Sequence, residues 1–210
     1  MKVLIITSSP NSDGLTAACG EAARQGVVDG NSPARVVELN ELQIARCAVH
    51  KDGWGSCRTE HRCQLEDDFQ SLHASVEQAE GYVLVTPVYF GEPSEPMRAF
   101  LDRLRRCEAT RDPTKGKASL LSGKPAVCIA AAGGSGHGTV NALAAMERAL
   151  QQMGGDCFDF IPITRRTREY QLETIHDALV AMTTTTEPRQ PAPHTERKRR
   201  RRPPRGRKRH

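Results

Sequence analysis

Aromatic residues are scarce, at 4% of the 210-residue chain, with five Phe, three Tyr and a single Trp. The core must therefore be built from aliphatic side chains, and two adjacent rings in a loop call for a specific reason. Long apolar runs are missing too. None approaches the roughly 18–20 residues that a membrane helix needs, so no membrane span is expected. The N-terminus, Met1-Lys2-Val3-Leu4-Ile5-Ile6, carries one basic residue and a short apolar run before Ser8-Ser9-Pro10. That is too short for a secretory signal and reads as a first core strand, which predicts a cytoplasmic protein. Seven cysteines are an odd number for a disulfide framework, and a reducing compartment disfavours one.

What charge there is lies unevenly. The formal net charge is +5, but Arg197-Lys198-Arg199-Arg200-Arg201-Arg202 and the basic residues around it crowd into one end, leaving the body mildly acidic. From residue 183 onward, a Thr run, prolines and arginines replace every apolar pattern. Two parts follow: a globular domain over 1–182 and a disordered basic Pro/Arg-rich tail over 183–210.

Within the domain, unbroken β-branched runs predict strands over 3–7, 35–39, 82–86, 126–131 and 157–161, the third ended by Pro87. Helical patterns fall over 15–25, 67–79, 95–106, 139–153 and 170–182, with Asp67 and Asp68 capping the second. Strands alternating with helices make parallel βαβ units, and right-handed crossovers force an open doubly wound α/β sheet. A ligand then belongs in the crevice beyond the strand C-termini.

Three loops there carry chemistry. The first strand ends in Ser8-Ser9-Pro10-Asn11-Ser12-Asp13-Gly14-Leu15-Thr16, where hydroxyls, an amide and a helix N-terminus suit a phosphate. It has neither the triphosphatase nor the dinucleotide glycine order, so a phosphomonoester is the better ligand; Ser12 or Asp13 acting merely as a helix cap is the plainer alternative. The third strand ends in Thr86-Pro87-Val88-Tyr89-Phe90-Gly91-Glu92-Pro93-Ser94, whose two rings suit a flat π system or else cover a sheet edge. The fourth ends in Gly133-Gly134-Ser135-Gly136-His137-Gly138, where glycines admit close backbone approach. Those strands neighbour one another in a 2-1-3-4-5 sheet, so the loops should converge.

These motifs, with Met97-Arg98-Ala99-Phe100-Leu101-Asp102-Arg103 after the second loop, resemble the NADPH-dependent FMN reductase and iron–sulfur flavoprotein relatives of flavodoxin, over about residues 1–180. The resemblance implies a five-stranded flavodoxin-like sheet. It implies that Ser9, Asn11, Ser12, Asp13, Gly14, Leu15 and Thr16 hold the FMN phosphate. Pro87, Val88, Tyr89, Phe90 and Gly91 would lie along the ribityl chain and isoalloxazine, with Gly133, Gly134 and His137 closing over the ring. It further implies NAD(P)H as hydride donor, a small-molecule electron acceptor and a homodimer or homotetramer. The flavin does the redox chemistry, so no side chain is assigned as catalytic.

Cys47, His50, Cys57 and Cys63 cluster between the second strand and the following helix. Iron–sulfur flavoproteins resembling this chain carry four cysteines here, whereas His50 stands at one of those places. A 4Fe–4S cluster with one nitrogen ligand, a tetrahedral Zn²⁺ or a metal-free thiol loop are the alternatives. His61 is expected to be solvated, and His73 and His176 to lie on helix surfaces. The tail, without interleaved aromatics, suits at most nonspecific polyanion contact. Two rival readings remain: an FMN electron carrier without a productive nicotinamide site, and a nucleic-acid-associated protein acting through the tail.

Overall fold

A computed structural model describes residues 1–185 except Lys51; the expected tail lies outside the described residues from residue 186 onward. Five strands form one parallel sheet: β1 (Val3–Thr7), β2 (Ala34–Glu38), β3 (Gly81–Tyr89), β5 (Pro125–Ala132) and β6 (Asp156–Thr164), in the order β2-β1-β3-β5-β6. Counted along the chain without the short β4 (Glu92–Pro93), this is the 2-1-3-4-5 order. The sheet has a sixth member because β4 pairs antiparallel with the end of β3.

Successive residues of each strand point to opposite faces, and both faces are covered. After a one-turn α2 (Ser56–Thr59), the longer helices α3 (Phe69–Gln78), α4 (Glu95–Glu108) and α5 (Thr139–Gln152) cover Leu4, Ile6, Leu84 and Cys128 through Phe69, Leu72, Phe100, Leu104 and Met146. Ile5, Val83, Val85, Val127 and Ile129 pack under α1 (Leu15–Asp29) and α6 (Arg168–Thr184) through Cys19, Ala23, Val27, Ile175 and Leu179. A strand covered on both sides needs an unbroken apolar run, which is what these strands supply.

Several boundaries move for physical reasons. Helix α1 runs four residues past its expected end because Gly26 is a packing contact and not a stop: a Cβ there would lie 2.3 Å from the His176 carbonyl oxygen of α6. Strand β3 continues through Pro87 to Tyr89. The last β1 partner of β3 is Val85, opposite Thr7, so Pro87 sits where that neighbour has ended and a missing N–H is tolerated. Helix α6 extends to Thr184, whose predecessor Thr183 donates its hydroxyl to the Leu179 carbonyl.

Candidate functional site

Strands β1, β3 and β5 are adjacent and parallel, so their C-terminal loops leave the same sheet edge side by side. The first of them, 8–16, delivers the chain into α1 at Gly14. No side chain caps that helix, and no acid occupies its first turn. Ser12 and Asp13 are exposed and do not cap it, so the leading N–H groups of α1 are left for a ligand, at the positive end of a 15-residue helix. The loop itself is braced from within: Ser9 donates its hydroxyl to the Asn11 carbonyl at 2.6 Å, and Asn40 Nδ2 donates to the Ser9 carbonyl at 2.8 Å.

The second loop is fastened to the first through buried hydroxyls. Ser94 Oγ donates to Ser8 Oγ at 2.8 Å, Ser8 Oγ lies 3.3 Å from Thr86 Oγ1, and the Ser94 N–H donates to Thr86 Oγ1 at 3.0 Å. Buried hydroxyls of this kind must be paired, and a closed triangle pairs all three. Sequence reasoning did not assign Ser8, Thr86 or Ser94 a role; the only signal was a hydroxyl at the end of each strand. Beyond this hub, Pro87 is buried and Val88 half-buried, whereas Tyr89 and Phe90 face solvent. Phe90 is fully exposed and holds φ +52, a left-handed conformation that costs a bulky residue energy. Neither its packing nor its backbone preference explains a ring there.

The third loop meets the second backbone to backbone. Gly138 has φ +85, and a Cβ on it would stand 2.4 Å from Gly91 Cα. Glycine is required here by both the angle and the contact. Gly133 and Gly134, by contrast, have nothing within 4 Å of their would-be Cβ positions, so this stretch faces open space. His137 is exposed, and its backbone N–H donates to Ser135 Oγ at 3.3 Å. The three expected loops therefore converge: the first and second through hydroxyls, the second and third through glycines. Uncapped amides at one end, open glycine backbone at the other and solvent-facing rings between them fit a phosphorylated, flat cofactor.

The cysteine cluster forms a separate place. Cys47, His50, Cys57 and Cys63 line one cavity of about 20 Å³, together with Arg103 and Arg106. His50 Nε2 is buried without a partner among the described residues, and Val49 beside it holds φ +47. Yet among the described residues no group of three His, Cys, Asp or Glu side chains is disposed to hold a metal ion. Cys63 Sγ instead accepts from Arg103 Nη2 at 3.3 Å. Three thiols plus an imidazole, one thiol already engaged by a guanidinium, are not the four thiolates that iron–sulfur clusters ordinarily take.

Arg103 organises this region. It is fully buried, pairs with Asp67 at 2.5 Å, donates to the carbonyls of Ala45 and Leu65, and stacks over Phe69 at 4.3 Å. Asp67 is thus more than the expected cap. Burial pushes its carboxyl up, but Arg103 and the N–H groups of Ala45 and Phe69 outweigh that and hold it below the ordinary range. Asp68 likewise binds the Gln43 N–H at 2.7 Å. Two histidine expectations fail. His61 is buried, its Nδ1 3.2 Å from the Cys107 carbonyl. His73 is drawn inward by the buried Glu108, at 2.8 Å. His176 does lie at the surface, between Asp29 and Asp177. Burial pushes the Cys19 and Cys107 thiols up to about 12, as befits inert core fillers.

The family described as NADPH-dependent FMN reductase matches residues 1–155. An iron–sulfur flavoprotein of Methanocaldococcus jannaschii is 28% identical over 105 residues, which is 50% of this chain and 52% of that protein. The chain thus matches about half the length of that curated relative. Among solved structures, RosB with bound 8-demethyl-8-formylriboflavin-5′-phosphate superposes with a TM-score of 0.69 at 15% identity, covering 88% of this chain and 77% of RosB. An NADH:FMN oxidoreductase gives 0.60 at 19% identity, covering 89% and 91%. At identities this low, the superpositions establish a shared flavodoxin-like fold and nothing further.

Proposed function

The chain belongs to the NADPH-dependent FMN reductase family, and on that premise we propose that it is an FMN-dependent NAD(P)H oxidoreductase passing electrons to a small acceptor such as a free flavin or a quinone. The observation that carries this reading is the joining of three loops at one sheet edge, through Ser8–Ser94 and Gly91–Gly138. FMN, when bound, supplies hydride acceptance and one- or two-electron delivery.

The chain's own residues supply binding and orientation. The uncapped amides at Leu15 and Thr16, with Ser9, Asn11, Ser12, Asp13 and Gly14, hold the phosphate; Asp13 serves through its backbone, because a carboxylate would repel that group. Pro87, Val88, Tyr89, Phe90 and Gly91 lie along the ring system, and the exposed rings of Tyr89 and Phe90 shield it from water. Gly133 and Gly134 let backbone approach the ring closely, and the His137 imidazole donates a hydrogen bond to a flavin carbonyl. No acid or base on the chain is needed for hydride transfer. The same site implies a homo-oligomer that covers the exposed rings. The iron–sulfur group in the relatives' name takes no part in this proposal, since the residues present do not make an ordinary four-thiolate set.

The test is spectroscopic. Freshly isolated protein, or protein given FMN, should show bound flavin absorbance that bleaches anaerobically on adding NADPH or NADH. Protein that takes up no FMN overturns the proposal. Bound FMN that resists both dinucleotides but accepts electrons from a partner reductase would make the chain an electron carrier.

A further inference from the structure

The turn that follows β6 carries a charge arrangement that folding does not explain. Thr164 and Thr167 lock it: the Thr167 N–H donates to the Thr164 carbonyl at 3.2 Å, and the Thr164 N–H donates to Thr167 Oγ1 at 2.9 Å. Arg165 and Arg166 occupy the tip, and Arg168 follows as the first residue of α6. All three are exposed, and their guanidinium groups make no hydrogen bond or ion pair among the described residues. Elsewhere Arg24, Arg98, Arg105 and Arg111 each pair with an acid three residues away. Cations at the start of a helix also oppose its dipole, so the three arginines do nothing for α6, whose first turn has the single acid Glu169 in its favour.

Its position gives it a use. Ala132 and Thr164 are the last register pair of β5 and β6, so the arginine turn leaves the sheet directly beside Gly133. A Cβ on Gly136 would stand 3.0 Å from Thr164 Cγ2, which puts the turn against the third loop of the crevice. Within the sheet, β1, whose loop makes the phosphate end of the crevice, lies three strand spacings from β6, roughly 14 Å; Arg168, at the head of α6, comes nearer to α1, within electrostatic reach of Cys19. The arginines border the site without belonging to the loop that takes the FMN phosphate.

We infer that Arg165, Arg166 and Arg168 receive the phosphate groups of the nicotinamide dinucleotide, anchoring the hydride donor across the glycine loop. This rests on the reductase reading above and names the residues that hold its donor. Guanidinium forks match phosphate oxygens two at a time, and these three, within four residues, have no acid to give up among the described residues.

The experiment uses the full chain loaded with FMN. In the double variant Arg165→Gln/Arg166→Gln, KM for NADPH should rise about tenfold or more, the size expected for losing charged hydrogen bonds. FMN affinity and thermal midpoint should stay as in the parent. Inorganic pyrophosphate should compete with NADPH in the parent and lose that effect in the variant. Arg148→Gln, an exposed arginine near the far end of α5, controls for net charge and should leave KM unmoved. An unchanged KM in the double variant, or a parent indifferent to pyrophosphate, overturns the arginine assignment while the reductase reading stands. Bound FMN that neither dinucleotide reduces overturns both.

Discussion

At the scale of single residues, the site depends on positions where a side chain is missing as much as on those where one is present. Gly138 combines a left-handed φ of +85 with a would-be Cβ 2.4 Å from Gly91 Cα, so any substitution must push the second and third loops apart. Gly138→Ala should destabilise the protein by about 1–3 kcal/mol and weaken FMN binding tenfold or more. Paired denaturation and FMN titrations would check this, and an alanine variant with parental affinity would show that the contact does not shape the crevice. Phe90 is the opposite case. Its strained backbone and complete exposure gain nothing for the folded chain by itself, which is the usual signature of a residue kept for what it meets in solution.

At the scale of elements, α4 is the beam that joins the site to the cysteine segment. Its N-terminus follows Ser94 of the hydroxyl hub, its middle carries buried Arg103, and its end carries buried Glu108. Burial alone would raise the Glu108 carboxyl, but the His73 ring, the Leu120 N–H and Arg111 together hold it below the ordinary glutamate value of 4.5. A depressed folded value means that the network stabilises the protein above the unfolded value and loses that contribution as pH falls through the lower, folded one. Thermal midpoints should therefore drop as pH is taken below about 4.5. Glu108→Gln should lie lowest relative to the parent at neutral pH, the gap closing in acid. Two curves that stay parallel from pH 7 downward would remove Glu108 from the account. Asp67, held low against its burial by Arg103 of α4, acts in the same direction, so the parent's acid sensitivity is shared between the middle and the end of that helix.

At the scale of the whole molecule, both faces of the sheet are covered by helices among the described residues. Strands β2 and β6 bound the sheet, and α1 and α6 pack so tightly that Gly26 meets the His176 carbonyl. Helix α6 already seals the face lined by Ile175 and Leu179 before residue 186. Removing residues 186–210 is accordingly expected to leave both the thermal midpoint and FMN affinity unchanged, while abolishing any salt-sensitive binding to a polyanion. Loss of FMN affinity on that truncation would show the domain boundary to be misplaced.

The strand runs, the helix periods and their alternation were sufficient for the doubly wound sheet, because a strand buried on both faces writes an apolar run into the chain; its 2-1-3-4-5 order came with the flavodoxin-like resemblance. The three loops were legible for the same reason: hydroxyls, paired rings and glycines stand directly after those runs. Pairwise meetings were not legible. That Ser8 and Ser94, 86 residues apart, share a hydrogen bond follows from β3 running past the end of β1 and β4 folding back along it, which returns Ser94 to the level of Thr86. That His73 is drawn in by Glu108 and His61 is buried against α4 depends on which helix face meets the sheet. That Arg165 and Arg166 stand beside Gly133 depends on register between β5 and β6. Local pattern records how each segment must be covered; only the closed chain decides which side chains, remote in sequence, come to share one edge.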